Sequence, residues 1–510
     1  MIKLSDIILG YVDGKNEAQK DWFTDLFYTD NNMVEKVSND PAVFIISGRK
    51  GTGKTILAKY IEKKYKENGV VTKVIDKEEL FLHYILEKTS DQLNQAELSA
   101  FLRYCILIAI AQQIVENEKN AINELRVTNG IFSIFASLRS IKRLKRFYND
   151  VYPKGAFKSY SGEQEVESTK SGDIGKDSII FSHKNRRSRK NLLDRKKYFE
   201  LLQELEHLIF EVAKYLDFFV FFDDLDELES RRFLSDSTEH IFITLLNTVQ
   251  SLNMKLQEQG HKKSKVIVLL RSDILEDLNT RSSNLNKMIV DGCVNLNWIK
   301  PSVHDENHPL MDLLLTKMQK SCFKQSRKTK KEIYEELFEW FKRKAIIDYL
   351  MENSFGRPRD TIMFLNTIIR EYPDANHFDH KMFESPECKK QYSKSFTNEL
   401  KNELSIHFTE EEILDMFGLL EKQGKKAFSY NDVQEYYEQN KMLFPTILDL
   451  QETLKSMYKF GIIGNTWRIG KEGQYQYRSA WAYREDGHAD ADFSKRFCVH
   501  IALRRELKVK

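Results

Sequence analysis

Gly48-Arg-Lys-Gly-Thr-Gly-Lys54-Thr55 carries glycines, a lysine and a hydroxyl at the spacing G-x-x-x-x-G-K-[ST]. This combination does phosphate chemistry. A tight glycine-containing loop turns backbone N–H groups onto phosphate oxygens, and a following helix adds the partial positive charge of its N-terminus. Gly51 and Gly53 let the backbone approach, Lys54 reaches the β- and γ-phosphates, and the Thr55 hydroxyl ligates Mg²⁺. Nucleotide contacts are therefore expected from Gly48, Arg49, Lys50, Gly51, Thr52, Gly53, Lys54, Thr55 and Ile56. About 170 residues further on, Phe218-Phe-Val-Phe-Phe222 runs into Asp223 and Asp224. A carboxylate at the end of a buried strand is costly unless something compensates it, and Mg²⁺ does so. Asp223 is the expected Mg²⁺ partner and Asp224 the residue that polarises an attacking water. Asp226 reads as an acidic turn.

The elements that must hold these groups are legible around them. Ala42–Ser47, Val70–Ile75, Phe218–Phe222 and Lys265–Leu270 are short apolar runs, which is how strands covered on both faces read; Cys293–Trp298 is a fifth candidate. A helical pattern follows the glycine loop from Thr55 to about Tyr65, and others span 77–127, Tyr198–Leu216 and His240–Leu256. The expected fold is α/β: a parallel sheet with an extra strand between the two nucleotide motifs. Helices from 309 to 371, broken at Gly356-Arg357-Pro358, form a lid. The segments read as a core over 1–300 with an insertion at about 80–215, a lid over 301–375, a polar linker over 376–395 and a smaller unit over 396–510. That unit has three helical patterns and an alternating aromatic–polar end suited to a β-hairpin.

The succession GRKGTGKT, FFVFFDDLD, VIVLLRSD and FGRPRD resembles the P-loop ATPases of the AAA+-related signal-transduction (STAND) and Orc/Cdc6-type origin-recognition groups. The resemblance is good over about 1–375 and loose beyond, where such ATPases commonly end in a winged helix. It implies ATP and Mg²⁺ as cofactors. It implies that Arg271, at the tip of the strand beside the acidic one, acts as a catalytic sensor with Lys54 and Asp224. It makes Arg359, and after it Arg357, the lid arginine that touches phosphate, and places Gly10-Tyr11 near the adenine. Two departures stand out: no repeat array follows, and no motif fixes an intersubunit arginine finger, for which Arg231, Arg232 and Arg281 are candidates. The resemblance implies a Mg²⁺-dependent ATPase working as a nucleotide-controlled switch in a homo-oligomer with an effector protein, and bacterial relatives suggest anti-phage defence. A DNA-bound loader or initiator and an ATP-binding scaffold without turnover are the rival readings.

Composition bounds the rest. The chain has 510 residues, 41% hydrophobic and 30% charged, with 8 prolines, which suits a multidomain, helix-rich globular protein. Its five cysteines are dispersed, which argues against a disulfide framework or structural zinc; Cys498 and His500 read as core. The start is no signal peptide, and the apolar run Tyr104–Ala111 stops at Gln112, so no membrane association and a cytoplasmic location are expected. Net charge is only +3, but basic runs cluster at Arg139–Arg146 and Lys184–Lys190 around a Gly/Ser-rich stretch, 153–178. The 139–197 segment reads as a mobile insertion, and it or the C-terminal unit is the place for nucleic acid.

Overall fold

The apolar runs become one parallel sheet. The computed structural model describes residues 2–29, 32–75, 95–117, 131–151, 195–225, 236–261, 263–282, 285–324, 327–338, 345–470, 476–484 and 490–510. In it β1 (Ile45–Ser47), β2 (Val71–Ile75), β3 (Phe218–Phe222), β4 (Lys265–Leu270) and β5 (Cys293–Asn295) lie in the order β2-β3-β4-β1-β5. All pairs are parallel: Ile46 lies opposite Leu269 and Val294, and Val220 opposite Val266 and Lys73. The strand separating the two nucleotide motifs is β4. This is a P-loop α/β fold.

Neighbouring residues of a strand face opposite sides. Phe218, Val220 and Phe222 enter one core with Val266, Val268 and Leu270, while Phe219, Phe221, Ile267 and Leu269 enter another. With both faces covered, alternation disappears and the runs are apolar throughout. The second face is covered by α2 (Phe23–Leu26), α3 (Met33–Asn39) and α4 (Lys54–Glu67), which follow the short α1 (Gly14–Ala18). The first is covered by α5 (Gln95–Glu116), α6 (Ile131–Val151), α7 (Arg195–Ala213), α8 (Asp236–Glu258), α9 (Ser272–Arg281) and α10 (Leu285–Gly292).

Helix α5, at 22 residues, is long and apolar enough to cross a membrane by length and composition. Leu102, Ile106, Ile110 and Ile114 are instead buried in the core of this helical layer. The Arg139–Arg146 run, expected in a mobile insertion, belongs to α6. Ile141 and Leu144 are buried, and Arg143 pairs with Glu211 of α7 at 2.9 Å. Its amphipathic spacing gives it a face to pack, which a count of charges hides. The 153–178 stretch, the Lys184–Lys190 run, Asp226, Arg231 and Arg232 lie outside the described residues.

Beyond the sheet come α11 (Pro309–Cys322), α12 (Lys330–Phe338), α13 (Ile346–Glu352) and α14 (Pro358–Glu371). The 376–395 segment is no linker. It holds α15 (His380–Phe383) and the first half of α16 (Pro386–Leu404), which continues into the next unit. Cys388, Tyr392, Phe396, Leu400 and Leu404 recur every fourth residue and make a buried stripe, and Tyr392 stacks on Phe364 with centroids 4.1 Å apart. One apolar residue per turn among lysines and glutamates reads as polar on average yet suffices to dock a helix. Then α17 (Glu410–Gln423), α18 (Tyr430–Asn440) and α19 (Leu450–Lys459) pack beside an antiparallel sheet. Its strands β6 (Ala427–Phe428), β7 (Ile463–Ile469), β8 (Gln476–Ala480) and β9 (Arg496–Val499) take the order β6-β9-β7-β8. One core runs from Leu4, Ile7 and Leu9 through α11, α14 and α16 to Leu503 and Leu507. Cys498 and His500 lie within the fold; His500 is fully buried, with Nε2 3.1 Å from the Tyr483 hydroxyl.

Candidate nucleotide site

The loop between β1 and α4 is shaped by where its carbonyls go. Those of Gly48 and Arg49 accept from Lys54 Nζ at 2.8 and 3.3 Å, and that of Arg49 also accepts the Thr52 hydroxyl at 2.8 Å. The Lys50 carbonyl accepts from Arg357 Nη1 at 2.7 Å, the Gly51 carbonyl from the Arg359 N–H at 3.3 Å, and the Thr52 carbonyl from Trp298 Nε1 at 2.9 Å. Five consecutive carbonyls are thus engaged by the protein, an arrangement that leaves peptide N–H groups to form an anion nest. Helix α4 opens after Gly53, which has φ +101° and no side chain to cap it. The Leu57 N–H takes the Gly53 carbonyl at 3.0 Å, so the N–H groups of Lys54, Thr55 and Ile56 lack an acceptor in the helix's own ladder. An anion there is the natural cap. The glycines are needed for space as well: a Cβ on Gly48 would lie 2.5 Å from Thr52 Oγ1, and one on Gly51, at φ +86°, would lie 3.1 Å from Arg359 Cβ.

Above the loop lies a cavity of about 380 Å³, walled by the loop with Tyr11, Lys15, Asp223, Asp224 and Arg359. That is within the range of small-molecule sites. Asp223 is almost fully buried and accepts the Thr55 hydroxyl at 2.7 Å. Burial, with the Asp224 charge beside it, pushes its carboxyl above the usual range. Asp224 has φ +57°, in the left-handed region that few residues other than glycine and asparagine or aspartate enter. Its carboxylate meets Lys15 Nζ at 2.5 Å. A hydroxyl and a buried carboxylate in contact, with a second carboxylate adjacent, form an all-oxygen set that fits Mg²⁺, which would stabilise charge where burial now penalises it.

On the far wall, Tyr11 is half exposed and stacks on Trp22, with centroids 6.1 Å apart and planes at 8°. Its N–H donates to Glu17 Oε2 at 2.8 Å, and buried Glu17 pairs with Lys317 of α11 at 2.7 Å. Gly10, at φ +101°, admits that carboxylate: a Cβ would sit 2.2 Å from Glu17 Oε2. Sequence reasoning missed Lys15, Glu17, Lys317 and Trp298. The partners that place Lys15, Lys317 and Trp298 lie 209 to 300 residues away, beyond any local signal.

The arginines divide. Arg359 lines the cavity, with Nη1 2.9 Å from Glu399 of α16. Arg271 and Arg357 do not line it; both are buried behind the loop. Arg271 donates through Nε and Nη2 to Asp273 at 3.0 and 2.5 Å. Arg357 holds Asp360 and Glu403 at 2.9 Å each. Arg49 Nη2 lies 4.0 Å, and Arg271 Nη2 3.8 Å, from the same Glu403. Burial alone would raise the Glu403 pKa, but Arg357, Arg49 and Arg271 together bring it down to about 2. The carboxylates that claim Arg271 and Arg357 lie two and three residues along the chain, so the expected phosphate contacts give way to internal pairs.

Residues 308–401 match the FunZ-associated C-terminal helical domain. That span runs from the cap of α11 into α16 and includes Arg357, Arg359 and Glu399. Among solved structures, that of the Aeropyrum pernix ORC2 protein in its ADPNP-ADP complexes is similar at 12% identity and a TM-score of 0.40, over 94% of this chain and 88% of that one. No curated protein matches the chain.

Proposed function

We propose that the chain is a Mg²⁺-dependent ATPase that works as a nucleotide-controlled switch. The observation that carries this is the loop whose carbonyls are all engaged on the protein side, set below a helix with no cap and beside Asp223 and Asp224. Lys54 is the counter-charge for phosphate, and Thr55 with Asp223 would hold the metal, which would draw charge from the phosphoryl oxygens. Asp224 orients and polarises the attacking water. Arg359, whose own N–H holds the loop, carries the nucleotide state to the lid. Because Arg357 and Arg271 are committed behind the loop, closure rests on Arg359 alone of the three. Assembly into a homo-oligomer, an effector partner and a role in anti-phage defence complete this reading, which takes them from the resemblance of the motifs.

A second reading, a DNA-bound loader, draws on the C-terminal unit, which we take as winged-helix-like. Arg468, Tyr477, Arg478 and Arg496 are exposed on its hairpin and neighbouring strand, and Lys495 lies 4.1 Å over the Trp467 ring. Cationic and aromatic groups together suit a nucleic acid backbone.

Calorimetry and a turnover assay test the first reading. Lys54→Ala should weaken ATP binding at least tenfold, about 1.4 kcal/mol. Asp224→Asn should keep ATP bound and slow hydrolysis by about a hundredfold or more. Unchanged binding in the first variant would remove the phosphate site.

A further inference from the structure

Beside the nucleotide cavity lies a second concavity of about 450 Å³ that the ATPase reading does not use. It is walled by Lys15, Lys59, Lys63, Lys66 and Lys73, with Glu62 and Asp223 as its acids. Lys59, Lys63 and Lys66 stand at i, i+4 and i+7 of α4, on one face over two turns. Buried Glu62 takes Lys59 at 2.8 Å and Lys66 at 2.9 Å and so neutralises one charge of that row. With Asp223 and the Asp224 that pairs with Lys15 counted, three carboxylates face five ammonium groups, and the low-dielectric walls of a concave site concentrate the excess field. Lysines at the end of a helix gain from its dipole, but Lys15 and Lys73 come from other elements and converge on the same space.

The two cavities share Lys15 and Asp223. Lys15 is also the residue that holds Asp224, at 2.5 Å and in a left-handed backbone conformation. We propose that the lysine groove binds a run of linked phosphates, as in a nucleic acid backbone, and that its occupant competes with Asp224 for Lys15. Aromatic side chains are missing from the groove's walls among the described residues, so recognition runs through phosphates and is independent of base sequence. While Lys15 is paired with Asp224, that carboxylate is unavailable to orient water. When a phosphate chain takes Lys15, Asp224 is released and turnover rises. This regulatory half rests on Asp224 serving hydrolysis; the binding half does not.

The test therefore has two independent parts. In the first, without ATP, the full chain is treated with an amine-acetylating reagent with and without a short oligothymidylate at low salt, and each lysine is read by mass spectrometry. Protection of Lys63, Lys66 and Lys73 is expected, lost as salt rises. Oligonucleotide affinity should fall at least tenfold in Lys63→Glu/Lys73→Glu, with a salt slope shallower by about 1.4, for two single-strand phosphate contacts. Groove lysines that stay reactive, or an affinity unmoved by the double variant, would overturn the site. Inorganic tripolyphosphate is the comparison arm: protection by both probes assigns the site to short phosphate chains, protection by the oligonucleotide alone to nucleic acid. In the second part, the oligonucleotide should raise ATP turnover, and Lys15→Met should turn over ATP faster without it and respond no further. A Lys15→Met protein that is no faster and is still stimulated would overturn the competition while leaving both the groove and the ATPase reading in place.

Discussion

The two sides of one loop handle charge in opposite ways. Facing the cavity, Lys15 and Asp224 are 48% and 36% exposed, and buried Asp223 is held above the usual carboxylate range. Behind the loop, Arg271, Arg357 and Glu403 are each no more than 3% exposed, and Glu403 stays ionised because three guanidinium groups surround it. The back neutralises its charges within the protein. The front keeps its pairs part-exposed at the cavity, Lys15 on Asp224 and Arg359 on Glu399. The two sides thus differ in exposure, with part-open pairs facing the cavity and closed ones behind the loop.

The comparison can be broken first at Glu403. Glu403→Ala leaves buried Arg271 and Arg357, and the part-buried Arg49, without their shared anion, and breaking a buried pair in this way costs about 3–5 kcal/mol. Chemical denaturation should show a loss of that size; a loss under about 1 kcal/mol would mean that the back is not the structural side. Acid gives a finer cut. The folded pKa of Glu403, about 2, lies below the ordinary value of about 4.3, so its contribution is complete above pH ~4.3 and is lost as the pH falls through about 2. The stability gap between wild type and Glu403→Gln should be constant from pH 7 to about 5 and narrow below. A gap that widens on acidification would reverse the assignment. The smallest effect belongs to the front. Arg359 and Glu399 are 22% and 28% exposed, so Arg359→Ala should cost at most about 1 kcal/mol of stability. ATP should protect the wild type from protease, and the same variant should lose that protection.

The loop and acidic strand end of the front were legible in the sequence; the Lys15 contact and the back were not. Phosphate chemistry fixes spacing within eight residues, so Gly48 to Thr55 stand where the motif implies, and apolar runs such as Phe218–Phe222 had to become covered strands. The motifs implied a parallel sheet with an extra strand between them, and β4 is that strand. Arg271 and Arg357 were visible as residues, but their partner Glu403 lies in a helix whose sequence averages out as polar, and nothing local joins 49, 271, 357 and 403. Strands β6 and β9 went unseen because two and four residues carry too little alternation to register. Lys15 was hidden for a further reason: a lysine in a short polar helix looks like any solvated lysine until Asp224 is placed beside it.

The core that joins Leu4, Ile7 and Leu9 to α11, α14 and α16 also sets a timetable for biosynthesis. Leu4 leaves the ribosome about 370 residues before Ala375, whose carbonyl takes its N–H at 2.7 Å, which at 5–20 residues per second is a wait of roughly 20–75 s. The sheet, whose strands end at Asn295, can close in that interval. The nucleotide cavity cannot, because Tyr11 and Lys15 must meet Pro358, Arg359 and Ile362. A nascent chain therefore carries a loop whose Lys50 and Gly51 carbonyls still await Arg357 and Arg359, and an unfinished pocket; on the proposed reading, nucleotide affinity matures only as that segment is translated.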